Sequence, residues 1–214
     1  MFAVQSHSEP GGHTHNEDAF AVQAHPADAS CLLCVVADGQ GGQPGGGEAA
    51  RLACRACIEA ACALPPDRLF APGAWLGLCR TGDEAVASDR AAGCTTLVAL
   101  AVRGNALIGA SSGDSAAVLC NGGRPGVILT ARQRKNPPVG SGMADFVEFE
   151  AGLEAPWAVL VLTDGVWKYA GWEAVLGAVN GAGEGALEAL RRRATLPGSG
   201  GLQDDFTAVL VRPD

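Results

Sequence analysis

The chain has 214 residues, of which 48% are hydrophobic, and its formal net charge is −8. That length can bury a substantial core without a second domain, and that hydrophobic content argues against disorder. The acidic balance argues against a general nucleic-acid-binding protein, which needs a basic face. The sequence has no apolar stretch of membrane-spanning length, and its first residues lack the pattern of a secretory signal. We therefore expect one domain over residues 1–214 that is soluble, cytoplasmic and monomeric, with neither a membrane nor a nucleic acid as partner.

Hydrophobic periodicity predicts alternating groups of strands and helices. In chain order, the predicted strands cover about residues 2–6, 18–24, 31–37, 95–102, 106–111, 116–120, 127–130, 146–150, 157–162 and 206–211. The predicted helices cover about residues 46–63, 74–88, 171–179 and 183–195. Tight turns join the strands between residues 95 and 120, which favours antiparallel pairing. This order predicts an α+β fold, with two mainly antiparallel sheets between helical layers.

Eight cysteines raise the question of a metal site or of disulfides. Cys31 and Cys34 lie in an apolar strand, where alternation directs their side chains to opposite faces. Cys54 and Cys57 lie on a predicted helix with Cys62, in positions that small apolar residues also fill. Neither pair has the turn that a zinc knuckle needs between its cysteines. We therefore predict reduced thiols that act as small hydrophobic side chains.

Four short acidic segments lie where a hydrophobic run meets a turn. They are Asn16-Glu17-Asp18, Asp38-Gly39, Thr163-Asp164-Gly165 and Asp204-Asp205-Phe206-Thr207. Each segment alone is most simply a turn, because Asp-Gly is a common turn dipeptide. A carboxylate at the end of a buried strand is costly, however, unless a positive group lies beside it. Together the segments indicate a cation site lined only by oxygen, which suits Mg²⁺ or Mn²⁺ better than Zn²⁺.

A glycine-rich stretch over residues 38–48 follows a predicted strand and precedes a predicted helix. That context suits a phosphate-binding loop, but the stretch lacks the Lys-Ser/Thr ending of a nucleotide-hydrolase loop. Its glycine spacing also differs from the dinucleotide-binding pattern. Its backbone can instead come close to an ion and offer the carbonyl of Gly39 as a ligand. We expect no nucleotide binding here.

The order of these segments resembles the metal-dependent protein phosphatases of the PPM (type 2C) family over nearly the whole chain. The matching segments are NEDAF (16–20), VVADGQGG (35–42), GEAA (47–50), GCTTLVAL (93–100), SSGDSAAVL (111–119), VLTDGVW (161–167) and DDFTAVLV (204–211). Each segment is a weak signal alone, but the ordered series is specific. The resemblance implies an α-β-β-α sandwich, which agrees with the predicted strands and helices.

The resemblance also implies a centre with two core ions of Mn²⁺ or Mg²⁺ and a third, weaker ion. Asp38 would bridge the core ions, and Asp164 and Asp204 would hold one of them. The other implied ligands are the Gly39 carbonyl, a carboxylate of the Glu17-Asp18 pair, and Asp114 for the third ion. Two cations about 3.5–4 Å apart can lower the pKa of a shared water and neutralise charge on a phosphoryl group. Asp38, Asp164 and Asp204 would therefore be catalytic through the ions, with Asn16 and Asp205 supporting the ligands.

Two positions depart from the family pattern where the phosphate would bind. His13 stands where members with strong monoester activity often carry an arginine, and histidine offers fewer donors and is charged only at lower pH. Gln40 stands where some relatives carry a histidine that protonates the leaving group, and glutamine cannot do so. His13 is therefore a candidate phosphate contact, although a weaker one than arginine.

The segment before the strand at 146–150, which we call the flap, is shorter than in the family, at residues 131–145. It carries Arg132, Arg134 and Lys135 in an otherwise acidic chain. This basic cluster could contact a phosphate or an acidic partner, and Arg132 and Arg134 are its candidate phosphate contacts. The alternative is an ordinary solvated loop, which is what most charge runs are.

Two functions are consistent with these residues. The first is hydrolysis of phosphoserine or phosphothreonine in proteins, opposite a bacterial kinase, by a water activated at the metal centre. The second is a catalytically weak or inactive regulatory domain that binds metal and a phosphorylated partner. The complete set of carboxylates favours the first function, whereas the missing arginine and the missing proton donor favour the second.

Overall fold

The computed structural model describes residues 1–12, 14–42, 44–181, 183–198 and 200–214. Its strands are β1 (Phe2–Glu9), β2 (Asp18–His25), β3 (Asp28–Asp38), β4 (Leu97–Arg103), β5 (Ala106–Ser112), β6 (Ala116–Asn121), β7 (Val127–Ile128), β8 (Val147–Gly152), β9 (Trp157–Leu162) and β10 (Phe206–Pro213). Its helices are α1 (Gly46–Ala63), α2 (Ala74–Ala87), α3 (Asp164–Ala170), α4 (Trp172–Gly181) and α5 (Ala186–Ala194), with a 3₁₀ helix at Pro66–Phe70. Within the described ranges, no helix is both long enough and apolar enough to span a bilayer.

The strands form two five-stranded sheets in which every neighbouring pair is antiparallel. The first sheet has the order β1-β10-β9-β6-β7, and the second has the order β2-β3-β4-β5-β8. Helices α1 and α2 pack on the outer face of the second sheet, and α3, α4 and α5 pack on the outer face of the first. The predicted α-β-β-α sandwich is therefore confirmed.

Strand β3 shows why the central strands are hydrophobic on both faces. Leu33 and Val35 pack toward α1 and α2, whereas Leu32 and Val36 pack between the two sheets. Each fully buried side chain of this kind contributes about 1.5–3 kcal/mol relative to an exposed one. This burial anchors β3 firmly, and the last residue of the strand, Asp38, is thereby fixed at the edge of the sheet.

All eight cysteines are free. Cys31 packs with the outer layer of α1 and α2, and Cys34 packs between the sheets, which confirms that the two side chains face opposite ways. Burial raises the pKa of Cys34 to about 12. Burial, with a smaller effect of Asp28, raises the pKa of Cys31 to about 11. Such thiols remain protonated at neutral pH and are poor nucleophiles, so they serve as core side chains.

Helix α3 is the main element that the sequence analysis does not predict. The sequence predicts a turn at Thr163-Asp164-Gly165, but Asp164 begins a seven-residue helix with Thr163 at its N-cap position. A Cβ at Gly165 would lie 2.0 Å from the carbonyl oxygen of Asp205. Glycine therefore allows this helix to begin directly against the segment that leads into β10, where a larger residue would clash.

Candidate active site

The two sheets bring the acidic segments to one edge of the sandwich. In the second sheet, the register sets Asp18 directly opposite Asp38, at the start of β2 and the end of β3. In the first sheet, Leu162 pairs with Ala208, so β9 ends close to where β10 begins. Thr163 links the sheets, because its hydroxyl donates a hydrogen bond to a carboxylate oxygen of Asp18 at 2.8 Å. Segments that are distant in sequence therefore meet at one place.

Hydrogen bonds to the backbone hold Asp38 in position. Its N–H donates to the hydroxyl of Thr96 at 3.0 Å, and the hydroxyl of Thr95 donates to its carbonyl at 2.8 Å. The Thr96 hydroxyl also lies 2.7 Å from the hydroxyl of Ser115. Because these bonds involve only the backbone of Asp38, they hold the residue in position and leave its carboxylate unoccupied by them. In the sequence, the only signal for these three residues is that they lie in the segments GCTTLVAL (93–100) and SSGDSAAVL (111–119).

Gly39 lies where two backbone segments come close together. Its N–H donates to the carbonyl of Glu17 at 3.2 Å. A Cβ at this position would lie 2.4 Å from the carbonyl carbon of Gly46 and 2.6 Å from the Glu17 oxygen. Only glycine fits there without a backbone shift, so it allows the start of α1 to approach the end of β3.

Asp205 and Asn16 hold the Glu17-Asp18 pair against the site. The two carboxylate oxygens of Asp205 accept hydrogen bonds from the N–H groups of Gly11 at 2.8 Å and Glu17 at 2.6 Å. The side-chain oxygen of Asn16 accepts a hydrogen bond from the Asp18 N–H at 2.9 Å. Both side chains contact the backbone next to the predicted ligands, which is consistent with the supporting role that the sequence predicts.

These segments surround a cavity of about 430 Å³. The predicted ligands that line it are Glu17, Asp38, Gly39, Asp114, Asp164 and Asp204. The other predicted ligand, Asp18, is only 8% exposed and is hydrogen-bonded to Thr163 instead. Of the Glu17-Asp18 pair, Glu17 is therefore the residue that faces the cavity.

Crowding of carboxylates changes their pKa values. Burial, followed by repulsion from neighbouring carboxylates, raises the pKa of Asp38 to about 9. Those neighbours are Asp18, Asp164, Asp114 and Asp204. Burial also raises the pKa of Asp18 to about 7, against the effect of hydrogen bonds from Thr207 and Thr163. A bound cation would relieve the same repulsion that protonation relieves, so the site favours positive charge.

Two lysines reach into the cavity. The Lys168 ammonium forms an ion pair with Asp164, four residues earlier on α3. The Lys135 ammonium, from the flap, forms an ion pair with Asp114. The pKa of Asp164 is still raised, because the effect of burial exceeds that of the Lys168 hydrogen bond. The sequence gives no signal for Lys168, which lies on the unpredicted helix α3, and it indicates Lys135 only as a member of the basic flap cluster.

The flap arginines are placed differently from the lysine that follows them. The Arg134 side chain is 70% exposed and pairs with Asp145 at 2.9 Å. Neither Arg132 nor Arg134 is among the described residues that line the cavity. The structure therefore does not bring these two predicted phosphate contacts to the cavity, and the Arg134 side chain has an ionic partner elsewhere. His13, the third predicted contact, lies outside the described residues.

The donor set of the cavity fits Mn²⁺ or Mg²⁺ in its chemistry. With the side chains as placed, the described residues contain no group of three or more His, Cys, Asp or Glu that could hold an ion. Two predicted ligands, Asp164 and Asp114, are paired with lysines. Every predicted ligand nevertheless offers oxygen, which is the donor that hard divalent cations prefer. The raised pKa of Asp38 also indicates that the negative charge of these carboxylates is not fully compensated by nearby positive groups.

Both the sequence and the fold are similar to those of known proteins. The sequence profile of the family described as protein phosphatase 2C matches residues 6–179. No curated protein matches the sequence significantly. Among solved structures, PppA, a key regulatory component of T6SS in Pseudomonas aeruginosa, is 23% identical, with 99% of this chain and 97% of PppA covered and a TM-score of 0.72.

Two structures of a serine/threonine phosphatase, PstP, are similar to the same degree. The serine/threonine phosphatase PstP/Ppp of Mycobacterium tuberculosis is 21% identical, with 100% of this chain and 99% of that chain covered and a TM-score of 0.73. The catalytic domain of PstP in complex with two manganese ions is 22% identical, with 100% and 99% covered and a TM-score of 0.75. At these identities the structures show that the fold is shared.

Proposed function

The chain belongs to the protein phosphatase 2C family, and we propose that it hydrolyses phosphoserine or phosphothreonine in proteins with divalent cations bound in its cavity. Family membership confirms the resemblance found in the sequence and the assignment as a protein serine/threonine phosphatase. The substrate would be a protein phosphorylated by a bacterial serine/threonine kinase. One observation carries the proposal, namely that residues from all four acidic segments line a single cavity.

The proposed centre holds two core ions of Mn²⁺ or Mg²⁺ and a third ion. Its ligands would be Glu17, Asp38, the Gly39 carbonyl, Asp114, Asp164 and Asp204, with Asp18 supporting them through Thr163. Asp38 would be shared by the core ions, because burial and then four neighbouring carboxylates, among them Asp164 and Asp204, raise its pKa. When bound, such ions lower the pKa of water and neutralise charge on a phosphoryl group.

Other residues of the site would hold the metal ligands in place, but Gln40 would not supply a proton. The hydroxyls of Thr95 and Thr96 keep the Asp38 backbone fixed, and Asp205 keeps Glu17 fixed, so the ligands need little rearrangement. Gln40 lines the cavity but cannot give a proton to the leaving alkoxide. We therefore expect that proton to come from solvent.

A regulatory domain with little turnover is the second candidate. Gln40 favours it, because an amide at this lining position leaves the cavity without the proton donor that some relatives have. This candidate would bind the same ions and a phosphorylated partner, so binding alone does not distinguish the two functions. Turnover does.

The test is hydrolysis of p-nitrophenyl phosphate and of a phosphothreonine peptide with Mn²⁺ and with EDTA. We expect hydrolysis with Mn²⁺, none with EDTA, and loss of activity in Asp38→Asn and Asp164→Asn. Asp67→Asn is the matched control, because Asp67 is exposed and pairs with Arg103 outside the cavity. Full turnover by metal-stripped Asp38→Asn would refute the proposal, and tight Mn²⁺ binding by wild type without turnover would favour the regulatory candidate.

A further inference from the structure

The distribution of basic residues in this chain is uneven. Of its 15 lysine and arginine residues, only Lys135 and Lys168 are lysines. Both of them line the catalytic cavity, and no arginine is among the described residues that do. The lysines are therefore the cationic side chains that the described cavity offers to an anion.

Each lysine pairs with a different carboxylate of the cavity. Lys168 lies on α3 and pairs with Asp164, whose side chain is 12% exposed. Lys135 lies in the flap and pairs with Asp114, whose side chain is 17% exposed. The two lysine side chains are themselves 40% and 61% exposed, so each can move while its carboxylate stays in place.

An ammonium group and a divalent cation compete for the same carboxylate oxygens. When a divalent cation neutralises the carboxylate, the ammonium loses its attraction to that carboxylate and becomes available to another anion. A substrate phosphoryl group in the same cavity supplies that anion, since phosphate oxygens accept charge-assisted hydrogen bonds. Exchange of this kind suits lysine, because an arginine would hold the carboxylate through two parallel hydrogen bonds and leave it less readily.

We propose that Lys135 and Lys168 bind the phosphoryl group of the substrate, and that binding of divalent cations to Asp114 and Asp164 releases them for this role. This inference rests on the proposed function for its substrate. It replaces Arg132 and Arg134 as the phosphate contacts of the flap side, and it explains how a chain without an arginine at position 13 can still bind phosphate.

The proposal predicts opposite effects on two ligands. Removal of Lys168 should weaken phosphate binding, and it should strengthen binding of the cation, because a competitor for Asp164 is lost. Partly exposed ion pairs are weak, so we expect about a two- to fivefold gain in Mn²⁺ affinity. Loss of a charge-assisted contact to phosphate should cost about tenfold or more in phosphate affinity. Removal of a lysine with a purely structural role would instead weaken binding of both the cation and phosphate.

Calorimetry of Mn²⁺ and of inorganic phosphate measures both affinities directly. The variants are Lys168→Met, Lys135→Met and the double variant, with Arg124→Met as the control that removes one exposed charge outside the cavity. We expect the opposite changes in each lysine variant, larger changes in the double variant, and wild-type values in the control. Lys168→Arg should keep phosphate affinity closer to wild type while binding Mn²⁺ no more tightly. Equal losses of both affinities, or unchanged phosphate affinity in the double variant, would overturn the proposal.

Nuclear magnetic resonance of the wild-type chain gives a second test that needs no change of residue. Reductive methylation with ¹³C-formaldehyde keeps the lysine charges and labels only Lys135, Lys168 and the terminal amine. We expect Mg²⁺ to shift both lysine signals and phosphate to shift them again only when Mg²⁺ is present. Signals that phosphate does not shift in the presence of Mg²⁺ would overturn the proposal.

The same samples separate this proposal from the proposed function. Hydrolysis without any response of the lysines to phosphate would refute the lysine assignment and leave the phosphatase assignment intact. A clear lysine response without hydrolysis would refute the phosphatase assignment, while support for the lysines as the phosphate contacts would remain.

Discussion

Replacement of the Asp38 carboxylate by an amide should stabilise the metal-stripped protein and remove its phosphatase activity. The backbone of Asp38 donates a hydrogen bond to the Thr96 hydroxyl and accepts one from the Thr95 hydroxyl, and Asp38→Asn leaves both unchanged. Burial and neighbouring carboxylates raise its pKa to about 9. Asparagine has nearly the same shape and no charge, so it removes the repulsion and keeps the packing.

The size of this effect depends on pH. In the unfolded chain an aspartate has a pKa of about 3.9. The folded protein binds this proton more tightly, so stability is lost as pH rises from about 4 towards 9, by up to about 1.4 kcal/mol per pH unit. Between pH 4 and pH 7 the full loss is about 4 kcal/mol, and sharing of the proton with Asp18 reduces it, so we expect a gain of about 2–4 kcal/mol for Asp38→Asn at pH 7.

Urea unfolding in EDTA at pH 4.5, 7 and 8.5 measures this gain. We expect Asp38→Asn to be nearly as stable as wild type at pH 4.5 and increasingly more stable at higher pH. Excess Mn²⁺ should then stabilise wild type but not the variant. The exposed Asp67→Asn serves as control, because it removes one carboxylate outside the cavity. A pH-independent difference, or a variant less stable than wild type at pH 8.5, would refute the reasoning.

Three further substitutions test other parts of the site. Asp114→Ala should retain two tightly bound ions by calorimetry but lose most phosphatase activity, whereas loss of both ions would place Asp114 among the core ligands. Gly39→Ala should destabilise the protein by about 2 kcal/mol or more in urea unfolding, because its Cβ would lie 2.4 Å from the Gly46 backbone; wild-type stability would show that the approach is not tight. His13→Arg should lower the KM for a small aryl phosphate by about tenfold, and an unchanged KM would argue against a phosphate contact at this position.

Much of the fold could be predicted because its strands have a simple pattern. β3 and β9 are continuous hydrophobic runs, and such runs are typical of strands covered on both faces. Asp38 is the last residue of β3, and Asp164 follows β9 after one residue. Acidic residues at the ends of such strands predict a shared site. Local sequence alone carried this information.

Other features depend on contacts between distant segments, which a single sequence does not encode in any local pattern. The hydroxyl contacts of Thr95 and Thr96 with Asp38 depend on the pairing of β3 with β4. The different surroundings of Arg134 and Lys135 depend on the path of the flap, which directs one side chain to Asp145 and the next to Asp114. A charge run predicts basic character, but only the fold assigns each charge its partner.

Anomalous diffraction from crystals soaked in Mn²⁺ tests the central claim most directly, because it locates each ion independently of activity. We expect two strong peaks in the cavity with Asp38 between them, one of them beside Asp164 and Asp204, and a weaker third peak beside Asp114. Well-ordered crystals that bind Mn²⁺ elsewhere, with no peak beside Asp38, would contradict the proposed centre.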